Sequence, residues 1–169
     1  MKQNQENTTS RLVMASMLAA LVCIATMIIK IPSPLKGYIN LGDCIVLLCG
    51  WLLSPGYGFL AAGIGSGLAD FFSGYLTYVP ATFFIKGLMA VIAFYVFQLL
   101  HKKSGAFAAR IFAGILAELF MILGYYIFEG FLYGFAPSIV NIPPNGVQGI
   151  AGIILSLILI KILEKVIAK

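Results

Sequence analysis

Carboxyl groups occur inside strongly apolar stretches in the second half of the chain, where an ionised side chain is costly. Glu118 lies midway along one such stretch, and Tyr125 and Glu129 follow it after seven and eleven residues. On a helix this spacing places the three side chains on one face. At membrane depth Glu118 must face a polar cavity, bind a ligand or a proton, or be neutral.

A group of amides follows in the next loop and helix, with Asn141 and Asn145 four residues apart and Gln148 shortly after them. Aromatic rings combined with a few amides and carboxylates suit a small, ring-bearing polar solute that approaches from outside. An interfacial aromatic belt is the alternative for the tyrosines. It accounts well for three others: Tyr75, Tyr78 and Tyr133. Since a belt explains neither Glu118 nor the amides, we predict a substrate-binding site.

Two more charges lie within apolar segments, Asp70 near the end of the third predicted helix and Lys86 within the fourth. An unpaired charge at the membrane centre costs about 2.5–3.5 kcal/mol on insertion scales. Because the two residues lie at similar depth on neighbouring helices, we predict a structural ion pair between Asp70 and Lys86. The alternative is that Lys86 binds the substrate.

The loop before the second predicted helix carries two glycines that flank Tyr38 and Asn40. Glycines in this arrangement favour a shaped loop over a loose connector. We expect this loop to cap the pocket, with Tyr38 and Asn40 contributing to substrate binding. Asp43 at its end is interpreted as an anion at the N-terminus of the second helix, where the helix dipole favours negative charge.

The composition explains why these polar groups are unusual, because 61% of the 169 residues are hydrophobic and only 10% are charged. A water-soluble domain of this length needs more charges to cover its surface. The net charge of +5 is spread over basic residues that flank apolar segments instead of forming one patch. Anionic lipid headgroups explain this pattern better than nucleic acid does. We therefore predict an all-α integral membrane protein.

Residues 1–169 are predicted to form a single membrane domain with a cytoplasmic tail (1–10) and six transmembrane helices, since a spanning helix needs about 20 mainly apolar residues. The predicted helices cover residues 12–31, 41–53, 58–73, 80–100, 106–128 and 145–163. Six spans place both termini on one side. Most of the cations lie on that side: Lys2, Arg11, Lys102, Lys103, Arg110, Lys161, Lys165 and Lys169. By the positive-inside rule both termini are cytoplasmic, whereas the opposite loops carry Lys30 and Lys36.

The remaining chemistry-bearing residues point to packing. Three cysteines match no zinc or redox spacing: Cys23, Cys44 and Cys49. We expect neither a metal nor a cofactor. On the first predicted helix, Ala15 and Ala19 form a small-xxx-small pair, which lets helix backbones approach closely in lipid.

The chain resembles the substrate-binding S components of energy-coupling factor (ECF) vitamin transporters, within them the riboflavin-transporter-like branch. The resemblance rests on six short helices and on three motifs: the loop Gly37–Asp43, Ser54-Pro55-Gly56, and Pro80-Ala81-Thr82 with Lys86-Gly87. In that family the first helix carries an A-x-x-x-A motif that contacts the transmembrane coupling subunit. Ala15-Ser-Met-Leu-Ala19 matches this motif.

The resemblance implies a mechanism in which the chain captures a vitamin or precursor outside and docks on one coupling subunit with two ATPases. It then reorients in the bilayer and releases the substrate inside. The chain lacks a G-x-x-x-x-G-K-[ST] loop, so the ATPases must hydrolyse the ATP. The acidic residues among tyrosines favour pyridoxine or hydroxymethylpyrimidine, and riboflavin and a deazapurine precursor remain open.

Two other function classes are alternatives to an ECF substrate-binding subunit. A stand-alone proton-coupled carrier would use Glu118 as its proton site, but six helices without an evident inverted repeat disfavour it. A membrane enzyme would need a nucleophile or metal set on convergent helices, and His101 lies in a predicted cytoplasmic loop far from both carboxylates. We therefore expect no enzyme activity, and the resemblance implies a location in a bacterial cell membrane.

Overall fold

The computed structural model describes residues 2–35 and 37–167, with side chains from 8–35 and 37–165. Over these residues the chain is mostly helical. The helices are α1 (Lys2–Ile28), α2 (Gly42–Leu52), α3 (Pro55–Phe72), α4 (Val79–Tyr133), α5 (Phe135–Ser138) and α6 (Ile142–Ile167). A short antiparallel hairpin of β1 (Ile31–Pro32) and β2 (Tyr38–Ile39) joins α1 to α2, and a 3₁₀ turn (Ile139–Asn141) precedes α6. Lys36 and the side chains of Lys2 and Lys169, used above to predict orientation, lie outside the described residues.

Glycine and proline set the helix bounds. Pro55 and Pro80 lie in the first turns of α3 and α4, where proline loses no helical hydrogen bond. Gly105 adopts a φ of +78°, which side chains rarely tolerate, and it breaks α4 into a first half (79–104) and a second half (106–133). Gly134, with a φ of +94°, then ends α4.

The observed bounds differ most from the predicted ones at two places, while α3 and α6 differ by a few residues at their ends. The helix α1 begins at Lys2, so residues 2–10 of the predicted tail are helical, and it ends at Ile28. The polar residues at its start include no Gly or Pro that would stop a helix. The fourth and fifth predicted helices form a single element, α4, which is interrupted at Gly105 and ends at Tyr133.

The bundle is built around α2, whose residues Gly42–Trp51 are all buried. It packs against α1, α3, α4 and α6. Contacts between helices depend on small residues: a side chain at Gly65 of α3 would overlap the carbonyl of Ala19 in α1. Many other large apolar side chains lie on the outer faces, as at Met17, Phe84 and Ile150. This arrangement is typical of a helix bundle in lipid.

Among the described residues, three helical segments are long and apolar enough to cross a membrane: Thr8–Ile28, Val79–Tyr133 and Phe135–Lys165. The central helix Gly42–Leu52 is apolar but shorter. Together with the exposed apolar faces, these segments define a membrane-embedded protein.

Candidate substrate-binding site

A buried polar cavity lies at the end of the bundle that carries the β-hairpin, between the hairpin, α3, α4 and α6. Seven of the nine predicted substrate-binding residues line it: Tyr38, Asn40, Tyr125, Glu129, Asn141, Asn145 and Gln148. Its volume is about 40 Å³. A cavity of this size holds a few water molecules, so it is closed to a vitamin-sized molecule in this conformation.

Six further residues line the cavity that the sequence did not assign to it: Ser33, Gly37, Asp70, Tyr75, Tyr78 and Thr82. The sequence alone assigns Tyr75 and Tyr78 to an interfacial belt and Asp70 to an ion pair. The sequence contains a pattern that could have identified Tyr78 and Thr82. Tyr78, Thr82 and Lys86 follow one another at intervals of four residues at the start of α4. That spacing predicts a polar face on the first turns of the helix.

Tyr38 fixes the position of Asp70 in the cavity wall. Its hydroxyl donates to Asp70 Oδ1 at 2.7 Å, and Asp70 is almost fully buried. Burial, followed by the nearby Asp70 carboxylate, raises the pKa of the Tyr38 hydroxyl. Tyr38 therefore keeps its proton and remains a hydrogen-bond donor over the physiological range.

Glu129 offers the cavity an acceptor that the protein leaves free. Its Oε1 accepts hydrogen bonds from the Tyr78 hydroxyl at 3.2 Å and from Asn141 Nδ2 at 2.9 Å. Its Oε2 is buried and has no hydrogen-bond partner within the described part of the chain. Burial is the main cause that raises the pKa of the Tyr78 hydroxyl, with contributions from Tyr133 and Glu129, so Tyr78 also stays a donor. A ligand donor could satisfy the remaining oxygen.

Gln148 connects the loop to the centre of the bundle. Its Oε1 accepts from the backbone N–H of Asn40 at 2.8 Å and from Asn40 Nδ2 at 3.2 Å. Its Nε2 donates to Asp43 Oδ2 at 2.6 Å. The side chain therefore holds the hairpin, α2 and α6 together at the wall of the cavity.

The predicted ion pair between Asp70 and Lys86 is wrong. Lys86 Nζ bonds to Asp43 Oδ1 instead, and both side chains are buried. Asp43 lies in the first turn of α2, whose position at the centre of the bundle brings it to Lys86 in the first half of α4. Lys86 also lies 5.5 Å from the ring centre of Tyr125, whose hydroxyl shares a 3.0 Å hydrogen bond with Thr82.

Lys86 and Glu118, the other two predicted substrate-binding residues, do not line the cavity but lie behind it. Glu118 is 3% exposed. It packs against α6 where two glycines leave space: a Cβ at Gly149 would lie 3.0 Å from Glu118 Cβ, and one at Gly152 would lie 3.0 Å from Glu118 Oε1.

An apolar groove of about 550 Å³ runs between α1 and α3. Ala15 and Ala19 line it together with other small residues, including Ser16, Ala20 and Ala61. Ala15 is buried against the bundle and Ala19 is half-buried. The pair therefore forms the floor of the groove, and its role in binding a coupling subunit stays a prediction.

A helical, membrane-embedded bundle with this polar cavity at one end has the fold of an S component. A solved structure titled as the S component of a bacterial ECF transporter matches with a TM-score of 0.72 and 23% identity, covering 96% of this chain and 99% of that one. A second, the S component for biotin from an ECF-type ABC transporter, matches with a TM-score of 0.67 and 21% identity, covering 98% and 95%.

The sequence identifies the family. Residues 6–165 match the family model described as ECF-type riboflavin transporter, S component, and the chain belongs to this family. A protein of Pyrococcus woesei, described as uncharacterized and encoded in the gap 3′ region, is 35% identical over 136 residues, which is 79% of this chain and 88% of that protein. The family is one of transporter components and not of enzymes. These matches give no support to a stand-alone proton-coupled carrier.

Proposed function

We propose that this protein is the substrate-binding subunit of an ECF-type ABC transporter and that it captures a small water-soluble vitamin or precursor from outside the cell. The observation that carries this proposal is the buried polar cavity in which Glu129 Oε2 has no partner among the described residues. A buried acceptor without a donor is costly, and a ligand hydroxyl, amine or ring N–H would remove that cost.

The polar groups of the cavity favour a neutral or cationic ligand that is rich in hydrogen-bond donors. Two carboxylates, Asp70 and Glu129, line it, and no Lys or Arg is found among the described lining residues. Such a site repels carboxylates and phosphates. Pyridoxine and hydroxymethylpyrimidine carry donors on a flat ring that tyrosines can stack against, and they are our first candidates. Riboflavin, named in the family's description, is the second.

Entry of such a ligand requires the hairpin loop to move. Binding sites for small molecules usually enclose about 300–1,000 Å³, far more than the 40 Å³ of this cavity. The loop that contains Ser33, Gly37 and Tyr38 forms one wall, and the hydrogen bonds of Asn40 to Gln148 hold its end. We infer that these contacts break and re-form as the ligand binds.

We further propose six membrane crossings with both termini in the cytoplasm. With 55 residues, α4 is far too long for one crossing of a hydrocarbon core of about 30 Å, and its break at Gly105 lies beside His101, Lys102 and Lys103. Arg110 after the break pairs with Glu164 near the end of α6 at 2.6 Å. The Gly105 turn and the C-terminal end therefore share one side, opposite the cavity, where cations favour the cytoplasm.

The groove over Ala15 and Ala19 is the proposed docking site for the transmembrane coupling subunit, which would in turn carry two ATPase subunits. Small residues allow a partner helix to approach α1 and α3 closely in lipid, where packing rather than the hydrophobic effect drives association.

The first experiment is to purify the full chain in detergent and to identify any co-purifying small molecule by mass spectrometry. A thermal-shift assay with a vitamin panel follows, using pyridoxine, hydroxymethylpyrimidine, riboflavin and the anionic vitamin biotin. We expect one of the donor-rich ligands to raise Tm and biotin to have no effect. A chain that binds none of the donor-rich vitamins, or that prefers biotin, would contradict the proposed substrate class.

A further inference from the structure

Three ionisable side chains from three parts of the fold meet behind the cavity: Asp43 of α2, Lys86 of the first half of α4 and Glu118 of the second half. Asp43 is 0% exposed, and Lys86 and Glu118 are each 3% exposed. The cluster thus contains two carboxyl groups and one ammonium group away from water. If both carboxyls were ionised, one negative charge would be buried without compensation.

The hydrogen bonds identify which carboxyl group is ionised. Both oxygens of Asp43 accept, Oδ1 from Lys86 Nζ and Oδ2 from Gln148 Nε2. An ionised carboxylate can only accept, and each oxygen of Asp43 has a donor and retains capacity for another. Glu118 differs, because neither of its oxygens receives a hydrogen bond from any described residue. A buried carboxylate without donors is unfavourable, whereas a protonated carboxyl group can itself donate.

The two carboxyl groups are neighbours at the surface of α6. A Cβ at Gly152 would lie 2.9 Å from Asp43 Cβ and 3.0 Å from Glu118 Oε1, so the two residues contact the same point of the helix. Glu118 lines none of the cavities described above. A metal ion would need more space and more oxygen ligands than these two carboxyl groups provide. A proton needs neither.

We propose that Glu118 holds a proton and donates a hydrogen bond to Asp43, so that Asp43, Lys86 and Glu118 form a neutral cluster. The proton is structural and stays bound, in contrast to the transported proton of a coupled carrier. Other titratable groups near the cluster are Tyr125, beside Lys86, Cys44, which follows Asp43, and Asp70, which interacts with Lys86 at longer range. In the cluster, Asp43 also accepts a hydrogen bond from the neutral side-chain amide of Gln148 in α6. The neutral cluster holds α2, α4 and α6 together beneath the cavity, whichever ligand the cavity binds.

Infrared difference spectroscopy on the full chain reconstituted in lipid vesicles tests this proposal. Wild type minus Glu118→Gln at neutral pH should show the carbonyl stretch of a protonated carboxylic acid, shifted in D₂O. The matched control is Glu164→Gln, since Glu164 is exposed and paired with Arg110 and should give only carboxylate bands. Carboxylate bands alone from Glu118 would overturn the proposal.

A second comparison tests the charge balance. In Asp43→Asn, Lys86 loses its anion, and Glu118 should give up its proton to replace it. The carbonyl band should then be absent from the difference between Asp43→Asn and the double variant with Glu118→Gln. A band that persists would contradict the role of Asp43 in keeping Glu118 protonated. If Asp43→Asn does not fold, the comparison of wild type with Glu118→Gln still decides the protonation state.

Discussion

At the scale of single residues, the buried carboxyl groups differ in how many donors reach them. Asp43 accepts on both oxygens, Asp70 accepts from Tyr38, and Glu129 accepts two hydrogen bonds on one oxygen. Because Glu129 lines the cavity and keeps Oε2 free, it is the residue we expect to contact the substrate most strongly.

Glu129→Gln replaces this carboxylate by an amide of the same shape. A hydrogen bond to a charged group contributes about 1.5–3 kcal/mol, so affinity for the identified ligand should fall about 10- to 100-fold. Isothermal titration calorimetry on the purified chain measures this change. Glu164→Gln, far from the cavity, should leave affinity unchanged, and an unaltered Kd for Glu129→Gln would show that the carboxylate does not bind the ligand.

Tyr38→Phe removes the hydroxyl that donates to Asp70 Oδ1. An unsatisfied buried acceptor costs about 1–3 kcal/mol, so Tm should fall. The control is Tyr95→Phe, since Tyr95 is exposed and lies away from the cavity. An equal Tm for Tyr38→Phe and wild type would indicate that water replaces the hydroxyl.

The pH dependence of this difference has a definite sign. The pKa of Tyr38 is raised in the folded chain, whereas an unfolded tyrosine ionises at about 10. Up to that pH the advantage of wild type over Tyr38→Phe should be constant. Above it the folded chain retains a proton that the unfolded chain loses, so the advantage should decrease as pH rises. Thermal unfolding of both proteins across neutral and alkaline pH measures this.

At the scale of elements, glycines in α6 decide how closely this helix approaches α2 and α4. Gly149 and Gly152 face Glu118 and Asp43 directly, whereas a Cβ at Gly146 would have no atom within 4 Å. The helix α6 therefore contains two glycines in close contact with neighbouring helices, Gly149 and Gly152, and one glycine with open space around it, Gly146.

Gly152→Ala and Gly146→Ala form a matched pair. Alanine gains about 0.5–1 kcal/mol over glycine inside a helix, so Gly146→Ala should raise Tm slightly. At Gly152 the added methyl group overpacks the interface, which typically costs about 1–3 kcal/mol, and Tm should fall. Thermal unfolding in one detergent compares them. Similar Tm changes in both variants would mean that α6 can shift away from Glu118 without cost.

Ala19→Leu tests the groove between α1 and α3. The larger side chain fills its floor, so co-purification of the coupling subunit should decrease at least several-fold while ligand binding is retained. Ala136→Leu, on the exposed helix α5, provides the control for adding the same side chain elsewhere. If Ala19→Leu assembled as well as wild type, the coupling subunit would bind elsewhere.

At the scale of the whole molecule, the two ends of the bundle are chemically different. One end carries the acidic cavity beneath the hairpin, and the other carries Arg110, paired with Glu164, and the cations around Gly105. This polarity supports the proposed orientation, in which the cavity faces outside and the basic end faces the cytoplasm.

Cysteine labelling tests the orientation. In a chain whose native cysteines are replaced by alanine, Thr77→Cys lies between α3 and α4, and Ser104→Cys lies at the Gly105 break; both positions are exposed. A membrane-impermeant maleimide should label Thr77→Cys in intact cells and Ser104→Cys only in inverted vesicles. Labelling of both from the same side would contradict two crossings by α4.

The sequence alone determined the membrane class, the family resemblance and most of the cavity wall. Tyr125 and Glu129, like Asn141 and Asn145, are four residues apart, and helical geometry places such pairs on one face wherever the helix lies. These inferences need only local periodicity and composition, which the chain carries without its neighbours.

The tertiary structure decided which helices meet and at what depth. Lys86 pairs with Asp43 instead of Asp70, and Glu118 lies behind the cavity. Periodicity fixes the faces of one helix, but the rotation and depth of a neighbouring helix depend on close contacts such as that at Gly152. The pairing of side chains 43 residues apart, such as Asp43 and Lys86, therefore depends on the packing of the bundle and not on the local sequence.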